Sequence, residues 1–118
     1  MREAKTPQGD IPLLYSSAAN TQYDRKTRME YSAKLAELYK DYILAVAKNL
    51  QEEYQTRIEL EELTQEGVVG LLESLRSLEL NNECRTYAAW IEKNIQRAIR
   101  GRISAELKTP GSEGWPNG

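Results

Sequence analysis

Apolar positions keep helical spacing through the middle of the 118-residue chain and lose it toward both ends. Leu35, Leu38, Tyr39, Tyr42, Val46 and Leu50 recur at three- and four-residue steps, predicting a helix that runs to about Tyr54. Its start is predicted at Thr27-Arg28-Met29-Glu30, where a hydroxyl and a carboxylate can each satisfy an orphaned backbone N–H. A second helix is predicted from about Leu60, with Leu63, Leu71, Leu75 and Leu78 on one side. Asn81-Asn82 breaks the chain. A third helix is predicted from about Thr86 to Leu107, where Tyr87, Ile91, Ile95, Ile99, Ile103 and Leu107 repeat every four residues as a buried stripe. No alternating pattern competes, so the expected fold class is all-α, a small bundle of about three main helices.

The ends read differently. Residues 1–23 contain two prolines, Gly9 and the polar run Ser16-Ser17-Ala18-Ala19-Asn20, and are expected to form a flexible arm. Residues 109–118 are rich in Pro and Gly and are expected to be a disordered tail, leaving 24–108 as the helical domain. Inside the second helix Gly67 and Gly70 each cost roughly 1 kcal/mol relative to alanine. Their presence there predicts that another backbone passes very close.

Charge changes the picture. The net value is −2, but residues 52–83 hold nine glutamates against two arginines, while residues 85–108 hold six basic residues against two glutamates. Two surfaces of opposite sign suit two partners, one basic and one polyanionic. Histidine is absent and Cys84 is the only cysteine, so the usual zinc-ligand sets and the commonest general base are missing. No metal, cofactor or catalytic constellation is expected, and an enzyme is not. With one cysteine, no apolar run of eighteen residues and no secretory leader pattern at Met1, a cytoplasmic protein with no membrane partner is expected.

On the third helix Trp90, Lys93, Arg97 and Arg100 step by three, four and three, so they share a face beside the isoleucine stripe. Separately, Glu61-Glu62-Leu63-Thr64-Gln65-Glu66-Gly67, then Gly70-Leu71-Leu72, then Thr86-Tyr87-Ala88 and Trp90-Ile91, is similar to the core signature of the bacterial sigma-70 factor family, region 2. The resemblance implies a helix that grips the clamp helices of the largest subunit of core RNA polymerase, followed by a helix that melts and reads the −10 promoter element. It places Glu62, Gln65 and Glu66 at the polymerase. It places Tyr87, Trp90, Lys93, Gln96, Arg97 and Arg100 at promoter DNA. Tyr87 also begins the isoleucine stripe and is expected in the core, which leaves Trp90 as the main aromatic contact to unpaired bases.

This chain departs from the pattern at three points. Cys84 stands where the family has an aromatic, and Arg85 where it has serine. Between Ala88 and Ile91 one residue is missing, which rotates every later position by about 100° along a helix. After Lys108 no length remains for the domain that reads the −35 element, so a separate subunit is expected to supply it. The sequence therefore points to a sigma-like initiation factor domain; the alternative is a sigma mimic that occupies polymerase and blocks or reprograms transcription without melting promoters.

Overall fold

A computed structural model describes residues 3–80 and 84–107. Among them the chain is all-α, with five helices: α1 (Ile11–Ala19), α2 (Arg25–Leu38), α3 (Lys40–Tyr54), α4 (Leu60–Ser74) and α5 (Tyr87–Leu107). None is long and apolar enough to cross a membrane. The Asn81-Asn82 break, the Leu107 side chain, Lys108 and the tail 109–118 lie outside the described residues.

Residues 11–19 correct the expectation of a flexible arm. The Asp10 carboxylate accepts from the Leu13 N–H at 3.2 Å and caps α1. Pro12 sits in the first turn, where its missing N–H has no intrahelical partner to lose. Ile11, Tyr15 and Ala18, at steps of four and three, are buried. Proline here starts a helix rather than breaking one.

The predicted long first helix is two. Asp24, not Thr27, is the N-cap of α2: its carboxylate accepts from the Thr27 N–H at 2.8 Å, so the helix begins earlier than the predicted capping box. That bond holds the Asp24 carboxyl below its usual pKa. At Tyr39 the backbone leaves helical geometry (φ −89°, ψ 3°), which ends α2 and starts α3. The Tyr39 ring is fully buried, and its hydroxyl donates to Glu92 on α5 at 3.1 Å. A tertiary contact anchors the break, and helical spacing persists across it because Tyr39 still bonds Leu35 and Ile43 through the main chain.

Helices α4 and α5 form the most extensive pair, running antiparallel. Ile91, Ile95, Ile99 and Ile103 of α5 are buried as the four-residue repeat predicts. A Cβ on Gly70 would lie 2.5 Å from the Asn94 carbonyl oxygen and 2.8 Å from the Ala98 Cβ, so here a backbone does pass close. At Gly67 the neighbours are instead the side chains of Ile43 and Ile99. Helix α4 stops at Ser74. Leu75 comes next as its cap and Leu78 is exposed beyond it, so Leu78 does not extend the predicted buried side.

Candidate functional site

The first candidate surface is the outer side of α4. Glu62 and Gln65 are exposed and Glu66 is half-buried, so none of the three is lost inside the bundle. Helical spacing continues this face through Val69 and Leu72, which remain 45% and 44% exposed despite being apolar. Gln65 also borders a groove of about 470 Å³ lined by Ala33, Ala36, Ile43, Leu44 and Val68, where α2 and α3 meet α4. The exposure of Val69 and Leu72, and this groove, were not read from the sequence. The available signal was that α4 has apolar residues on more than one side, which a helix buried on one face alone does not need.

Glu62 is not solitary. Both the Nε and one terminal nitrogen of Arg102 converge on its Oε2, the Nε at 2.9 Å. The pair joins the first turn of α4 to the last turns of α5. Nearby, the Thr56 hydroxyl donates to Glu106 at 2.7 Å and fixes the same end.

The second surface is a groove of about 740 Å³ along α5. Lys93, Gln96, Arg97 and Arg100 line it together with Cys84 and Glu92. Four of the six residues expected at DNA are thus brought together. Gln96 is held in place by donating to the Tyr42 hydroxyl at 2.8 Å. Burial pushes the pKa values of the Tyr39 and Tyr42 phenols upward; the Glu92 carboxylate acts further in the same direction on both.

The two aromatics lie elsewhere. Trp90 is only 7% exposed, and its indole N–H donates to the Ser74 carbonyl at 3.0 Å. The Tyr15 hydroxyl donates to that same oxygen, so two side chains satisfy a carbonyl left over at the end of α4. Tyr87 is half-buried, its ring 5.1 Å from that of Tyr15. The expectation that Trp90 shares an outward face with Lys93, Arg97 and Arg100 is corrected. The cause is Gly70: it draws α4 against Asn94 and Ala98, and Trp90 precedes them at the same four-residue spacing. Its ring is covered by the end of α4.

A family model, Sigma-70 region 2, matches residues 35–103, more than half of the chain. The chain belongs to the sigma-70 region 2 family. Its matched part runs from the end of α2 through most of α5 and contains both surfaces, whereas α1 and most of α2 precede it. Membership carries a role in binding RNA polymerase and recognising −10 promoter DNA. No curated protein and no solved structure matches the chain.

Proposed function

We propose that this sigma region 2 domain docks the clamp helices of core polymerase on the outer face of α4 and holds the −10 strand along the α5 groove. The observation that carries this reading is the division of the α4–α5 pair into an exposed acidic face on α4 and a cation-lined groove on α5. Glu62, Gln65 and Glu66 offer acceptors and one amide to a basic partner, and charge-assisted hydrogen bonds suit that contact. Val69, Leu72 and the groove beside Gln65 add apolar area that a partner helix can cover. Lys93, Arg97 and Arg100 supply phosphate contacts, whose strength falls with salt. All five helices among the described residues pack as one bundle.

The burial of Trp90, with Tyr87 half-buried beside Tyr15, favours a second reading, in which the domain takes the sigma position on polymerase without melting DNA. Mixing the full chain with core polymerase and a fork-junction −10 template separates the two. Salt-sensitive template binding, weakened in Arg97→Gln and Arg100→Gln, supports the initiation factor. Polymerase binding to which the template adds nothing supports the mimic. Polymerase affinity unchanged by Gln65→Ala and Glu66→Ala together would remove the α4 docking face from either.

A further inference from the structure

One carboxylate stands among the cations of the α5 groove. Glu92 lines it beside Lys93, Gln96, Arg97 and Arg100. Its Oε2 accepts from the Thr6 hydroxyl at 2.7 Å and from the Tyr39 hydroxyl at 3.1 Å. Its Oε1 has no hydrogen-bond partner among the described residues, and no cation pairs with it there. A negative group at this place opposes phosphate binding, so backbone recognition does not account for it.

Base recognition does. A fixed carboxylate oxygen accepts from an exocyclic amino group, as acidic side chains do with the N4 amino group of cytosine. It meets repulsion from thymine, whose single N–H lies between two carbonyl oxygens. The two hydroxyls on Oε2 hold the side chain in one orientation before any base arrives, which lowers the ordering cost of binding. We propose that Glu92 is a specificity-determining residue: its Oε1 selects an unpaired base bearing an exocyclic amino group, adenine, cytosine or guanine, and rejects thymine. This rests on the reading of the α5 groove as the seat of the −10 strand.

The test uses the full chain bound to core polymerase and fork-junction templates that carry each of the four bases at successive unpaired positions. At one position the three amino-bearing bases are expected to outbind thymine by about tenfold. Glu92→Gln keeps an acceptor for Thr6 and Tyr39 while adding a donor for thymine carbonyls, and it is expected to abolish that preference without moving the others. If Glu92→Gln tightens all four templates alike and steepens the salt dependence, Glu92 is a repulsive charge only and the proposal is overturned. A lowered melting temperature with base preferences intact would make it a tie for the N-terminal segment, which also overturns the proposal. Absence of any salt-sensitive template binding by the wild-type complex would instead remove the underlying reading of the groove.

Discussion

Helices α4 and α5 solve the same packing problem in opposite ways. Helix α4 gives up side chains at Gly67 and Gly70 so that its neighbours can press in, while α5 fills the interior with four isoleucines. Gly101 of α5 sharpens the contrast, since a Cβ there would meet nothing within 4 Å. The lesson concerns what remains outside. Where a backbone passes close, at Gly70 against Asn94, the Trp90 side chain one turn earlier on α5 is buried. Away from that contact, Gln65 on one helix and Arg97 and Arg100 on the other stay exposed.

The largest expected effect breaks that close approach. Gly70→Ala places a methyl against the Asn94 main chain, which cannot turn aside as a side chain can. It is expected to cost about 3 kcal/mol in chemical denaturation, overpacking outweighing the better helix propensity of alanine. Gly101→Ala should go the other way, stabilising by up to about 1 kcal/mol, because propensity acts there unopposed. Equal effects at the two glycines would show that the helices are not this close.

Trp90→Phe probes the same contact from its edge. It removes one donor to the Ser74 carbonyl, which retains the Tyr15 hydroxyl, and shrinks a buried ring. A loss of about 2 kcal/mol is expected. The salt dependence of template binding by the polymerase complex should not change. A changed slope with unaltered stability would return Trp90 to the DNA surface.

These two positions also mark how far the sequence could be read. The isoleucine stripe and the start of α4 near Leu60 were legible because each depends on local periodicity and burial of one face. The close pass at Gly70 was legible as well, from the cost of glycine in a helix. Which side chains that pass would cover was not, because it depends on where Asn94 and Ala98 meet α4, a long-range fact. Likewise Pro12 and Pro7 read alike as breakers, although only the position of the Asp10 cap shows that Pro12 opens α1. The break at Tyr39 was hidden because main-chain bonding, and with it the apolar spacing, continues through it. The acidic and cationic stretches were legible from charge asymmetry, but the Arg102–Glu62 pair that ties α4 to α5 was not, the partners being forty residues apart.

A third expectation comes from the tyrosines behind α5. Tyr15, Tyr39 and Tyr42 all have phenols raised above the ordinary value of 10.0, burial being the first cause in each. Below pH 10 both folded and unfolded chains keep these groups neutral, so their contribution is fully present there. Above it the unfolded chain ionises first, and stability falls by up to about 1.4 kcal/mol per pH unit for each tyrosine still neutral in the fold. Urea titrations between pH 8 and 11 would measure the slope. Tyr42→Phe should flatten it while leaving the acidic face of α4 untouched. A stability that stays level to pH 11 would mean that these phenols are open to water.

The smallest effect bears on the acidic face, which an ion pair ties to α5. The side chains of Arg102 and Glu62 are 35% and 46% exposed, so the pair contributes less than about 1 kcal/mol to folding and less again at high salt. Its weight lies in what it does to the docking face. Two arginine nitrogens bear on one oxygen of Glu62 and offset the charge that a basic partner would meet. On the proposed docking, a basic partner would share Glu62 with Arg102 or displace it. Arg102→Gln leaves that carboxylate whole and is expected to tighten polymerase binding by two- to threefold at low salt, about 0.5 kcal/mol. Glu62→Gln should weaken binding by a similar factor, and in the double variant the gain from Arg102→Gln should vanish, since no charge remains for it to release. If Arg102→Gln weakens binding instead, the arginine positions Glu62 for the clamp, and the acidic face is completed by the cationic helix rather than opposed by it.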